Sequence, residues 1–170
     1  MKGIHQVIDY LEERSVPSAL IGGLALAVHG IDRSTQDADL LALSRRVLDE
    51  TFWQQWPTMP EIRRGSFDDP LAGLVRCRAA GATVEVVVGK HRWMEPMLVE
   101  RIPLPLADEV VPVVRLPHLV LLKLFAGGPQ DRIDVELLLG AHGGELAAQV
   151  DALIENLPTE PRRLWAEIHR

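Results

Sequence analysis

Residues 19–41 decide the fold, and they read Ala19-Leu-Ile-Gly22-Gly23-Leu-Ala-Leu-Ala-Val-His-Gly30-Ile-Asp-Arg-Ser-Thr-Gln-Asp37-Ala-Asp39-Leu-Leu41. A short apolar run ends at Gly22-Gly23, and a helix-compatible segment then closes at Gly30. A polar turn leads to Asp37, Asp39 and a second apolar run. This order predicts a strand, a short helix, a turn and a second strand.

The two aspartates lie two residues apart at the start of the second predicted strand, Ala38–Leu43. Residues two apart in a strand project from the same face, so Asp37 and Asp39 are expected to lie side by side. Two carboxylates this close repel each other unless a cation lies between them. Mg²⁺ suits such a site, with Mn²⁺ as the alternative ion. A pair of aspartates that caps a loop is the other interpretation.

The glycine pair lies where the first strand turns into the helix. Gly22 and Gly23 have no side chains, so backbone N–H groups there can approach a phosphate, and a helix N-terminus favours negative charge. A phosphate cradle beside a metal-binding carboxylate pair indicates phosphoryl or nucleotidyl transfer.

This spacing resembles the signature of the DNA polymerase β-like nucleotidyltransferase superfamily. Its closer form resembles the AbiEii-type nucleotidyltransferases of bacterial toxin–antitoxin systems and related bacterial proteins. The residues that carry the resemblance are Gly22-Gly23-Leu24-Ala25, Gly30, Arg33, Thr35, Asp37 and Asp39. The resemblance implies an α+β fold, in which a mixed sheet with flanking helices is followed by a small C-terminal helical part.

The resemblance also implies a third metal-binding carboxylate, Glu85, within the run Thr83–Val88. In many members this residue accepts the proton of the incoming hydroxyl. The family usually has Asp there, so the longer glutamate changes the metal geometry. The alternative is an outward-facing residue on a half-exposed strand.

The polar turn offers three candidate phosphate contacts. Ser34 and Thr35 can donate hydroxyl groups to phosphate oxygens, and Arg33 can pair with a phosphate. Equally, Arg33 is interpreted as a surface residue and Thr35 as the start of the strand.

A second motif of the resemblance runs from Leu119 to Gly127 and on through Asp131 and Asp134. It implies that Lys123 binds the phosphates of the nucleoside triphosphate (NTP) and that Asp131 or Asp134 orients the lysine. The alternative is a lysine whose stem covers apolar neighbours while its head reaches the surface. Gly128-Pro129-Gln130 replaces basic residues that the family often has before the acid.

The composition fits a globular chain of one domain, or a small domain with a helical extension. Of 170 residues, 47% are apolar and 25% are charged, and the net charge of −6 gives no global basic surface for nucleic acid. Cys77 is the only cysteine, which excludes an intramolecular disulfide and a cysteine-rich zinc site. The start of the chain does not resemble a secretory signal and the apolar runs are too short for a bilayer, so a cytoplasmic protein without membrane contact is predicted.

The remaining pattern predicts a nucleotidyltransferase α/β domain over residues 1–115 and a helical region over 116–170. Residues 3–14 have apolar positions at helical spacing, and Ser44 is expected to begin a helix that runs to about Trp56. The runs 71–78 and 83–88 predict a β-hairpin, and the proline-rich stretch 102–115 predicts edge strands or an extended loop.

The predicted function is Mg²⁺-dependent transfer of a nucleoside monophosphate (NMP) group from an NTP to an acceptor hydroxyl. The acceptor is left open among protein, RNA and a small molecule. Through the resemblance, a role as a toxin–antitoxin component with a cognate antitoxin is implied. The alternative is a non-catalytic nucleotide-binding or regulatory protein that keeps the fold.

Overall fold

The computed structural model describes residues 2–31 and 37–169. Its helices are α1 (Lys2–Glu12), α2 (Gly22–Val28), α3 (Glu95–Val99), α4 (Leu116–Ala126), α5 (Pro129–Asp151) and α6 (Thr159–Ile168). Its strands are β1 (Ser18–Ile21), β2 (Ala38–Ala42), β3 (Glu61–Arg64), β4 (Gly73–Ala79), β5 (Ala82–Val88), β6 (Ile102–Leu106) and β7 (Glu109–Val113).

The seven strands form one mixed sheet in the order β3-β4-β5-β2-β1-β7-β6. The central strand β2 pairs antiparallel with β1 and parallel with β5, and β7 adds to β1 in parallel. The predicted hairpin is present as the antiparallel pair β4–β5. The α+β class with a mixed sheet, flanking helices and helices at the C-terminal end is therefore confirmed.

One face of the central strands forms the core. Alternate residues of β2, β4 and β5 are buried on this face, and the apolar side of α1 packs over β4 and β5. The apolar residues of these three strands that are buried on this face are Ala38, Leu40, Ala42, Val75, Cys77, Ala79, Val84, Val86 and Val88. Because side chains alternate along a strand, the charged residues between them lie on the opposite face.

The prediction of a single helix from Ser44 to Trp56 is wrong. The chain instead forms two short 3₁₀ helices, Arg45–Leu48 and Glu50–Trp53, which are separated by Asp49 in an extended conformation. Tyr10 of α1 donates to the carbonyl of Phe52 at 2.7 Å and stacks on the buried Trp53, whose indole donates to the carbonyl of Val47 at 2.8 Å. Tertiary contacts therefore override the local helical pattern.

The proline-rich stretch forms β6 and β7, which pair antiparallel. β6 lies at the edge of the sheet, as its prolines predict. β7 is not an edge strand; Pro112 is tolerated there because the register with β1 involves only Leu20 and Val113.

Helices follow the sheet from Leu116 onward, and Gly143 interrupts α5 with a non-helical backbone. The division into domains at residue 115 stays a prediction. Among the residues described, no helix combines the length and apolar character that crossing a bilayer requires.

Candidate active site

Two of the three predicted carboxylates lie side by side on adjacent parallel strands. Asp39 of β2 is in register with Glu85 of β5, and on its other side Asp39 is opposite Ile21, the last residue of β1. Asp37 lies just before β2 and its charge acts on Asp39. Strand β2 thus lies between β1, whose end leads into Gly22, and β5, which carries Glu85.

Gly22 touches the site directly. Its φ of +69° lies in the left-handed region, and a Cβ at this position would collide with the Asp39 carboxylate. A glycine is therefore required here both for the turn from β1 into α2 and for the close approach of Asp39. This contact gives Gly22 a role that the sequence pattern did not indicate.

A Gly22→Ala variant is expected to lose stability and to displace the Asp39 carboxylate. A Gly81→Ala variant is the matched control, because Gly81 has a φ of +80° but open space around its missing Cβ. Backbone strain alone costs about 1–2 kcal/mol, and the collision with Asp39 adds roughly 1–3 kcal/mol. Urea unfolding of both variants checks this, and equal losses would show that Asp39 does not constrain Gly22.

The ionised form of Asp39 is destabilised in the folded chain. Burial, then the negative charges of Glu85 and Asp37, raise its pKa from 3.8 to about 6, while Lys123 acts in the opposite direction. A carboxylate that is desolvated and faces two like charges is stabilised when a cation binds beside it. Perturbed acids of this kind cluster at functional sites.

The carboxylates at this site suit a divalent metal ion that needs few protein ligands. In residues 2–31 and 37–169, no three His, Cys, Asp or Glu side chains are grouped closely enough to hold one ion together. Mg²⁺ does not need such a cage, because it is commonly held by one or two carboxylates together with waters and substrate phosphates. Asp37 and Asp39 fit that requirement, with Glu85 beside them.

Glu85 is engaged by an arginine that the sequence prediction missed. Arg76 of β4 is in register with Glu85, and its Nε and Nη2 both donate to Glu85 Oε1, at 2.8 and 2.6 Å. These hydrogen bonds raise the pKa of Arg76 above its ordinary value. The two-residue turn Ala80-Gly81 was a usable signal, because counting outward from it pairs residue 76 with residue 85.

Lys123 contacts both of the acids proposed to orient it. Its Nζ lies 2.8 Å from Asp131 Oδ1 and 2.9 Å from Asp134 Oδ2. Burial alone would lower the pKa of Lys123, but hydrogen bonds to the two carboxylates raise it. Since its charge acts on Asp39, the Lys123 cluster borders the carboxylate site.

The remaining predicted contacts divide into two groups. Gly23 follows Gly22 at the start of α2 and is half-buried. Arg33, Ser34 and Thr35 lie outside the described residues.

Comparison with solved structures finds nucleotidyltransferases. The solution structure of the antibiotic-resistance factor ANT(2'')-Ia matches with a TM-score of 0.59 at 16% identity, covering 98% of this chain and 94% of that chain. Its complex with adenylyl-2''-tobramycin gives a TM-score of 0.58 at 15% identity, covering 89% and 95%. A candidate nucleotidyltransferase from Thermotoga maritima gives 0.54 at 12% identity, covering 82% and 91%.

These matches concern the fold alone: the chain has the nucleotidyltransferase fold. No family model matches the sequence, and comparison with curated proteins finds no relative. The resemblance to the AbiEii type stays a prediction.

Proposed function

We propose that this protein is a nucleotidyltransferase that moves an NMP group from an NTP to an acceptor hydroxyl. The single observation that carries the proposal is the in-register pair Asp39–Glu85, placed beside Gly22 on the exposed side of a nucleotidyltransferase-fold sheet. The raised pKa of Asp39 supports it, because the folded chain concentrates negative charge where a cation would be bound.

Each group has a defined part in the proposal. Asp37 and Asp39, together with Glu85, would hold Mg²⁺, and the bound ion would neutralise phosphate charge. Glu85 accepts the proton of the acceptor hydroxyl as that oxygen attacks the α-phosphorus and pyrophosphate leaves. Lys123 contributes positive charge near the phosphates, and Asp131 and Asp134 hold its ammonium group in place.

The backbone at Gly22 and Gly23 and the side chains of Arg33, Ser34 and Thr35 are proposed to contact the triphosphate. For Gly22 and Gly23 the support is the bare backbone next to Asp39. For the other three the support is their position between the glycine pair and Asp37 in the sequence.

Charged side chains of β4 lie next to the carboxylate site, where they can contact the acceptor. Arg76 and Arg78 of β4 lie on the same face as Glu85, and a cavity of about 240 Å³ next to them is lined in part by both arginines and Glu61. Arg78 makes no ion pair within the described part of the chain, so it is available to an anionic group of the acceptor.

Binding of a non-reactive NTP analogue with a methylene bridge between the α- and β-phosphorus tests the nucleotide site. Isothermal titration is expected to show binding with Mg²⁺ and much weaker binding with EDTA. Asp39→Asn should reduce the Mg²⁺-dependent part, while Asp108→Asn, an exposed aspartate in the β6–β7 turn, should not. Binding that is independent of both metal and Asp39 would overturn the proposal.

A non-catalytic nucleotide-binding protein is the second candidate. The observation that favours it is the engagement of Glu85 Oε1 by Arg76, which occupies one oxygen of the proposed proton acceptor. Such a protein would bind the NTP analogue but would label no acceptor. A toxin–antitoxin role, a cognate antitoxin partner and a cytoplasmic location remain part of the proposal on the strength of the sequence resemblance and composition alone.

A further inference from the structure

A row of charged side chains crosses four adjacent strands. Asp39 of β2 is in register with Glu85 of β5, Glu85 with Arg76 of β4, and Arg76 with Glu61 of β3. Cross-strand neighbours on one face lie close enough for direct side-chain interaction. The proposed metal site is therefore the inner end of a longer row in which acidic and basic groups alternate beyond Glu85.

Arg76 is fixed from both sides within this row. Nε and Nη2 donate to Glu85, and Nη1 lies 3.5 Å from Glu61 Oε2. Glu61 is in turn bound by Arg63, whose Nε and Nη2 lie 2.8 and 2.6 Å from its Oε1. A planar guanidinium with two carboxylate partners loses most of its freedom to rotate.

The hydrogen bonds to Glu85 are arranged in a particular way. Both of them go to Oε1, and no hydrogen bond to Oε2 is present in the described part of the chain. Arg76 thus holds the carboxylate through Oε1, and Oε2 can contact a metal ion or an acceptor. The Glu85 side chain is 22% exposed, so it keeps access to solvent and to a ligand.

We propose that Arg76 is a positioning residue, which holds Glu85 so that its free oxygen serves the metal and acceptor side of the site. A glutamate has one more rotatable bond than an aspartate, and Glu85 faces the like charge of Asp39. An arginine on the neighbouring strand offsets both effects by restricting the side chain and by placing a positive charge behind it. This inference rests on the proposed function, since it assigns Arg76 a role in the same site.

Two roles for Arg76 predict opposite effects on cation binding. Arg76 could act only as a nearby positive charge, or it could hold Glu85 away from the metal site. In either case its removal would strengthen the binding of a divalent cation. If it positions Glu85, its removal weakens that binding, because the carboxylate is no longer held beside Asp39. The sign of the change therefore separates the roles.

Titration of the full chain with Mn²⁺ alone, followed by the electron paramagnetic resonance signal of the free ion, is the test. Arg76→Ala and Arg76→Gln are expected to weaken Mn²⁺ binding about tenfold, the lower end of the effect of losing a partner of a metal ligand. Arg64→Ala is the matched control, since Arg64 is an exposed arginine that pairs with Asp49 outside the row. In a Glu85→Ala background, Arg76→Ala should cause no further weakening.

The outcomes distinguish this inference from the proposed function. Unchanged or tighter Mn²⁺ binding by both Arg76 variants, or a further loss in the Glu85→Ala background, would overturn the positioning role alone. No Mn²⁺ binding by the parent chain would overturn both the metal site and the positioning role. Thermal unfolding in EDTA verifies that each variant is folded, and Arg76→Gln provides a second variant if Arg76→Ala does not fold.

Discussion

An Asp39→Asn variant is expected to transfer no nucleotide and yet to unfold at a higher temperature than the parent chain in EDTA at pH 8. Asn is nearly the same size as Asp but carries no charge, so it removes the proposed metal ligand and also the repulsion from Glu85 and Asp37. Function and stability should therefore change in opposite directions at this position.

The expected gain in stability of Asp39→Asn follows from the raised pKa of Asp39. The folded chain binds the Asp39 proton more tightly than the unfolded chain does, because burial raises the pKa from 3.8 to about 6. Stability of the metal-free parent therefore falls as the pH rises from 3.8 to about 6, and it stays reduced above that range. The reduction is at most about 3 kcal/mol at 1.36 kcal/mol for each pKa unit, and partial solvent exposure makes it smaller.

Thermal unfolding at pH 4 and pH 8 measures this effect. Asp39→Asn should gain stability at pH 8 and little or none at pH 4, whereas the exposed Asp108→Asn should gain none at either pH. Adding Mg²⁺ should raise the unfolding temperature of the parent and not that of Asp39→Asn. A loss of stability at pH 8 would contradict the electrostatic description of Asp39.

A Lys123→Met variant is expected to lose about 3 kcal/mol of unfolding free energy. Asp134 is fully buried and Asp131 is 22% exposed, so removing the ammonium breaks both of its ion pairs in a low-dielectric environment. Breaking a buried ion pair from one side typically costs about 3–5 kcal/mol. The partial exposure of Asp131 places the expected value at the low end.

Two comparison variants make the Lys123 result specific. Lys123→Met combined with Asp134→Leu should recover much of the loss, since the pair is replaced by apolar side chains of similar size. Arg132→Met removes exposed ion pairs with Glu136 of α5 and Glu167 of α6 and should cost less than about 1 kcal/mol. Urea unfolding measures all three, and a Lys123→Met variant as stable as the parent would show that the cluster does not hold α4 against α5.

The order of elements around the site was predictable because its determinants are local. Apolar runs, glycines and the Asp37–Asp39 spacing predict β1, α2 and β2 from adjacent residues alone. The hairpin β4–β5 was also predictable, since Ala80-Gly81 separates two β-type runs.

The features that sequence reasoning missed depend on contacts between distant segments. The segment 45–53 packs on α1, where Tyr10 stacks on Trp53 and donates to the Phe52 carbonyl. Helix propensity is a weak determinant when such contacts compete with it.

The partners of Lys123 and Glu85 also depend on how separate elements pack, which the sequence alone does not give. Sequence spacing placed Asp131 and Asp134 near one helix face but left the choice between them open, and the packing of α4 against α5 brings both to Lys123. Arg76 was visible only as part of an alternating strand pattern, because its pairing with Glu85 requires the cross-strand register.

Transfer of label from α-labelled NTPs tests the central claim most directly. The parent chain and an Asp37→Asn/Asp39→Asn double variant would each be incubated with Mg²⁺ and each NTP in turn, with RNA, total protein or tobramycin as acceptor. We expect label on one of these acceptors with the parent chain only, as the central claim requires. Equal labelling by the double variant, or no label on any acceptor while the NTP analogue binds, would contradict it.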